Sequence, residues 1–237
     1  NLKKGDEVIM PSYTFTSTAN AVLLRGAKPV FVDVNKDDVN LNPRLVEKKI
    51  NKKTKAIIVV HYAGISCDMS YFLKLKKKYG IFLIEDAAHS FMGKYKNKYL
   101  GTIGDIGAFS FHETKNLVGG QGGAISVNNK KLIKRANYLL DKGTDRIDFL
   151  KNHKKQFISE RNNKKNKKNY YSWVDCGSEY RASELSSALI YSQFLRSNDL
   201  RKKRKKIWEK YQKEFANTNF IRPLDIPKNH THSYHIY

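Results

Sequence analysis

The sequence predicts an α/β fold, a mainly parallel β-sheet with helices on both faces. Three observations predict it. Short apolar runs alternate with helical patterns through the first half of the chain. Two of those runs, "KAIIVV" and "IFLIE", are apolar without alternation, as in strands buried on both faces. A helix-length segment separates them, which parallel strands need and hairpins do not.

The elements follow in order. "EVIM" at 7–10 reads as a strand, and "PSYTFTSTANAVLLRGA" runs on into a helix that Gly26 closes. "KPVFVDV" at 28–34 is a second strand. Residues 42–50 form a helix, with Asn42 as its cap and Pro43 where a missing N–H costs nothing. "KAIIVVHYAG" at 55–64 and "IFLIEDAA" at 81–88 begin apolar and end polar. The helix "MSYFLKLKKKYG" between them stops at Gly80. "AFSF" precedes Lys115, and "GGQGG" at 119–123 lacks the GK[ST] of a phosphate loop, so its glycines read as a tight turn. "KKLIKRANYLL" at 130–140 is helical, residues 147–170 read as an exposed basic loop, and 183–216 read as two helices meeting near Ser197–Asn198. From Asn217 the chain reads as the start of a second domain. The expected division is a large domain over 1–195, then a linker helix and the start of a truncated, small carboxy-terminal domain over 196–237. The opening "NLKKGDEVIM" is neither a signal peptide nor a chain start, so a piece beginning inside a domain is expected.

The 237 residues carry 45 Lys and Arg against 22 Asp and Glu, a formal charge of +23. Concentrated on one face, that excess would point to nucleic acid or a membrane surface. Here it is spread over "KLKKKYG", "NNKKNKKN" and "RKKRKK" with asparagine alongside, the pattern of a solvated basic surface. Cys67 and Cys176 have no CxxC or metal-ligand spacing and fit reduced thiols in a cytoplasmic protein. No run approaches the ~20 apolar residues of a membrane span.

Three residues stand out by position. Asp86 ends an apolar strand, where an ionised carboxylate is costly without a cationic partner. Lys115 follows a second strand, and Phe15 offers a flat apolar face after a third. Singly these read as a helix cap, a solvated charge and a core ring. Together, an acid, an amine and an aromatic plate are what a pyridoxal phosphate site needs.

The segments "GDEVIMPSYTFTSTANAVLLRGAKPVFVDV", "EDAAHS", "GDIGAFSFHETKNLVGGQGGA" and "GSEYRASELSSAL" resemble the DegT/DnrJ/EryC1/StrS family of sugar aminotransferases, over nearly the whole chain. "SFHETKN", "DKGTDR" and "YSWVDCGSEY" are most similar to its dTDP-4-amino-4,6-dideoxygalactose transaminase branch. The resemblance implies the type I fold of pyridoxal-phosphate enzymes, aspartate-aminotransferase-like. It makes Lys115 the lysine that bonds the cofactor and shuttles the proton, and Asp86 the partner of the pyridine nitrogen. It gives His89 the phenolic oxygen, Ser110 the phosphate, and Phe15 and Ala88 the two faces of the ring. It further implies a cytoplasmic homodimer that transfers an amino group from L-glutamate to a nucleotide-linked 4-keto-6-deoxy sugar, for surface polysaccharide or O-antigen synthesis. Dehydratase relatives carry histidine at the lysine, so Lys115 argues against that branch.

Two departures stand beside it. The family's amino-terminal phosphate turn and most of its carboxy-terminal domain are not matched. "GSEYR" also stands where many relatives read "GYNYR", so Glu179 brings negative charge where the family's Asn reaches the partner's phosphate. A 3-keto-sugar or cyclitol aminotransferase is the nearest rival. A non-catalytic basic protein that binds nucleic acid is the rival from another class.

Overall fold

This computed structural model describes residues 2–159, 170–224 and 226–237. Strands β1 (Glu7–Pro11), β2 (Lys28–Val32), β3 (Thr54–Val60) and β4 (Phe82–Asp86) alternate with helices α1 (Thr16–Leu23), α2 (Pro43–Lys49) and α3 (Met69–Tyr79). Two short strands, β5 (Lys94–Tyr95) and β6 (Lys98–Tyr99), precede β7 (Ile106–Ser110) and β8 (Gly123–Val127). Helices α4 (Lys130–Leu140), α5 (Arg146–Ser159), α6 (Glu184–Leu195) and α7 (Ser197–Phe215) follow, then β9 (His230–Thr231). The main sheet runs β2-β1-β3-β4-β7-β8 and is parallel except for β8, which pairs antiparallel with β7. The expected mainly parallel α/β architecture is the one observed.

Local chemistry sets the helix ends. Asn42 Oδ1 accepts from the N–H groups of Arg44 and Leu45, with Pro43 beside it at the first turn of α2. Asp68 caps α3 through the Tyr71 N–H, and Gly80 ends that helix at φ +65°, where a Cβ would be strained. A cap of this kind is worth about 1 kcal/mol.

Strand alternation divides the interior into two layers. On one face Ile9, Ile57, Val59 and Leu83 pack with Val46 of α2 and Met69, Phe72 and Leu75 of α3. On the other, Val8, Met10, Ala56 and Ile58 pack with Val22 of α1, and Ile84 joins them. Leu83 and Glu85 therefore face one layer, Ile84 and Asp86 the other. An apolar cavity of about 720 Å³, lined in part by Thr54, Ala56, Phe82 and Ile84, opens towards the strand starts, at the other end of the sheet from Asp86.

By contacts the chain forms two units, and the division differs from the expected one at 195/196. Residues 1–128 and 184–237 make one unit, and Asn129–Ser183 the other. The carboxy-terminal segment joins the first unit because β9 pairs with β5 and α7 covers residues 232–237 with Trp208, Tyr211 and Phe215.

Within the second unit, one expectation needs correction. Residues 147–159 are not loop: they belong to α5, with Asp148 in its first turn and Phe149 edge-on to Tyr171. Lysine content masked the helical spacing of Ile147 and Leu150. The remainder of the expected basic loop, 160–169, lies outside the described residues. The same unit holds a charge cluster around the buried Asp141. Arg146 and Arg181 lie 3.2 and 3.6 Å from its Oδ2. Glu179 bonds Arg181 at 2.7 Å and Lys142 at 2.5 Å. Those two cations hold the Glu179 carboxyl well below the usual carboxylate range, so its charge is compensated within its own unit.

Candidate active site

The site begins with two adjacent strands. β4 and β7 are parallel, with Asp86 opposite Ala108, so the chain leaves both at the same edge of the sheet. Asp86 is the last residue of β4 and Ser110 the last of β7. Beyond Ser110 the chain turns. The His112 N–H donates to Ser110 Oγ at 3.3 Å, and the Lys115 N–H donates to the His112 carbonyl at 2.9 Å. That leaves the Ser110 hydroxyl proton available to an anion.

Asp86 is held from two sides. Thr18, in α1, donates to Oδ2 at 2.9 Å, and the Ala88 N–H donates to Oδ1 at 3.1 Å. Thr18 also sits 2.9 Å from Thr14 Oγ1, and its N–H bonds the Phe15 carbonyl. Through this helix start Phe15 arrives as a residue 75% exposed, its ring open for contact.

Three residues after Asp86, the His89 ring meets Tyr62 edge-on at 5.4 Å and His235 at 4.3 Å. Its Nδ1 is buried and has no hydrogen-bond partner among the described residues. Burial and the positive charge of Lys115 push the His89 pKa down to about 4 against the pull of Asp86, so the ring is neutral at pH 7. Burial also lowers the Lys115 pKa, which Asp86 raises only in part. Asp86, His89 and Lys115 thus lie within reach of one another's charge. Phe15 and Ala88 join them through Thr18 and Asp86, and Ser110 stands at the neighbouring strand end.

An orphaned nitrogen, an amine with weakened proton affinity and an anchored carboxylate fit a group with a phenolic oxygen, an aldehyde and a basic ring nitrogen. The residues present therefore suit pyridoxal phosphate. Thr18, Tyr62, Asn116 and His235 were not identified from the sequence. Thr14 and Thr18 one turn apart, and the clustered histidines of "HTHSYHIY", were the available signals.

Beneath the site lies a second carboxylate. Glu85 is fully buried and accepts four bonds: from His61 Nε2 at 2.9 Å, Gly101 N at 2.8 Å, and Ile103 N and Gly104 N at 2.6 Å each. His61 Nδ1 accepts from the Cys67 N–H, so Nε2 carries the proton given to Glu85. Burial raises the Glu85 pKa, but these donors outweigh it and hold the carboxyl below its ordinary value.

Comparison with known proteins identifies the family. An uncharacterized protein of Methanocaldococcus jannaschii is 37% identical over all 237 residues, which cover 58% of its length. The spore coat polysaccharide biosynthesis protein SpsC of Bacillus subtilis is 34% identical over 233 residues, 98% of this chain and 57% of that protein. The chain therefore spans less than two thirds of the curated relatives it matches. Among solved structures, the aminotransferase TlmJ of Streptoalloteichus hindustanus aligns with a TM-score of 0.85 at 29% identity, over 99% of this chain and 59% of that one. The putative sugar aminotransferase Spr1654 of Streptococcus pneumoniae, in its PMP form, gives 0.83 at 28% identity, over 100% and 62%. The model of the DegT/DnrJ/EryC1/StrS aminotransferase family matches residues 1–237, and this chain belongs to that family.

Proposed function

We propose that this protein is a pyridoxal-phosphate-dependent aminotransferase that moves an amino group from L-glutamate to a nucleotide-linked 4-keto-6-deoxy sugar of the dTDP type. The observation that carries the reading is the convergence of Asp86, His89 and Lys115, with His89 Nδ1 left unbonded among the described residues. When bound, pyridoxal phosphate supplies the electron sink that amino transfer requires.

The chain's own residues do the rest. Asp86, held by Thr18 and Ala88, would keep a proton at the cofactor's ring nitrogen. Lys115 would be the residue that holds the cofactor covalently and that moves a proton at the substrate carbon, work that needs a neutral amine. The burial that lowers its pKa favours that state. His89 would serve the phenolic oxygen through Nδ1, which has no partner among the described residues. Ser110 would donate to the phosphate, and Phe15 and Ala88 would hold the ring. The name of the Bacillus subtilis relative supports a place in polysaccharide synthesis. A cytoplasmic homodimer is part of the same reading.

Incubation with pyridoxal phosphate, borohydride reduction and peptide mapping test it. One pyridoxyl label is expected on Lys115, and none in Lys115→Ala. A label that persists at its original level in that variant overturns the assignment. Mass spectrometry of mixtures with glutamate and dTDP- or UDP-linked keto sugars then reads the acceptor.

A further inference from the structure

We propose that His235, oriented by Asn116, is a positioning residue of this site that fixes the His89 ring and keeps its nitrogen free. The inference rests on the reading above and adds residues from the far end of the chain.

The geometry is continuous. Asn116 directly follows Lys115, and its Nδ2 donates to the Ser233 carbonyl at 2.7 Å. That bond sets the amide orientation, so Oδ1 can only accept. His235 Nδ1 lies 2.8 Å from that oxygen and must carry the proton. Its ring then lies against His89 at 4.3 Å, with 32° between the planes. The two residues are also tied through their neighbours, since Ser233 Oγ donates to the His89 carbonyl at 2.5 Å.

The segment that carries His235 is held by several independent elements. Its Ser233 N–H bonds the Gly64 carbonyl, and His232 Nε2 donates to the Ala63 carbonyl at 3.1 Å. Arg201 and Arg204 of α7 donate to the carbonyls of His232 and His235, each at 3.1 Å. The charged and titratable groups facing His235 are His89, Lys115, Arg204 and His232, and Asp86 faces His89. With burial, those groups press the His235 pKa down to about 3, so the ring is a neutral Nδ1–H tautomer. A neutral ring tilted against His89 excludes water from its face without adding charge. The contact keeps the His89 ring neutral, with one N–H and one bare nitrogen, and leaves Nδ1 open to a partner.

The test is made first without cofactor. In ¹⁵N-histidine spectra of the wild-type chain, His235 is expected as the Nδ1–H tautomer and His89 as neutral from pH 8 down to 5. An Nε2–H signal for His235 overturns the proposal, and this arm needs no variant. In His235→Ala, water reaches His89, whose titration is expected to rise by at least about one pH unit, or tenfold in proton affinity. In His235→Phe, which keeps a ring against His89, it is expected to stay near the wild-type position. Unchanged His89 titration in a folded His235→Ala protein also overturns it. With pyridoxal phosphate added, His235→Ala is expected to bind about tenfold more weakly by absorbance titration. If wild-type protein binds no cofactor while both spectral results stand, the functional reading fails and the positioning role does not.

Discussion

Glu85 and Asp86 are consecutive carboxylates with different tasks. Glu85 faces the layer that packs on α2 and α3 and holds the loop of Gly101, Ile103 and Gly104 through backbone N–H groups. Replacing it by Gln keeps the volume but puts an amide N–H₂ among four donors. Glu85→Gln is expected to lower unfolding stability by about 2–4 kcal/mol in denaturant titration. A loss under about 0.5 kcal/mol would reject this account, since that is the range of neutral surface changes. Asp86→Asn is expected to unfold much as wild type does but to lose about a thousandfold in amino-transfer rate, measured in single turnover with glutamate. Near-normal turnover would remove Asp86 from the chemistry. Asp86 could be singled out because it ends an apolar run inside a recognisable motif, and the structure places it at the end of β4. Glu85 was not, because its four donors come from a loop whose return to the strand no local pattern encodes.

Elements were legible wherever their determinants are local. Asn42 and Pro43 start α2, Gly80 stops α3, and the break between α6 and α7 falls at Arg196, beside the expected Ser197–Asn198. What fastens the carboxy-terminal strap, residues 230–235, had no local signal because its partners are distant in sequence. Gly64 belongs to that fastening. At φ +92°, an added Cβ would lie 1.7 Å from Ser233 Oγ and 2.9 Å from the His89 carbonyl oxygen. Gly64→Ala is therefore expected to cost about 2 kcal/mol or more and to release residues 230–235. Hydrogen exchange would show it, as faster exchange at Ser233 with β3 still protected. Equal exchange at both places would mean that Gly64 matters to the whole fold rather than to the strap.

For the molecule as a whole, buried histidines set the acid limit of stability. His89, His232 and His235 are held near pKa values of about 4, 4 and 3, below the ordinary 6.5, chiefly by burial. Their folded forms resist protons that the unfolded chain accepts. Stability from their neutral state is full above pH 6.5 and is lost as pH falls from there towards about 4. Denaturant midpoints measured from pH 8 to 4.5 are expected to hold above 6.5 and decline below it. His232→Asn should make that decline shallower. A flat profile between 6.5 and 4.5 would show that these rings are protonated in the folded state.

The two acids of β4 also bear on where this sequence can change in length. Because they point to opposite faces, one residue inserted within 82–86 would exchange them. It would send Glu85 to the face that holds α1 and Asp86 into the layer of α2 and α3. The turn at Lys96 and Asn97, where both residues already take positive φ, carries no such coupling. Insertions and deletions among homologues should therefore gather at that turn and be absent from β4.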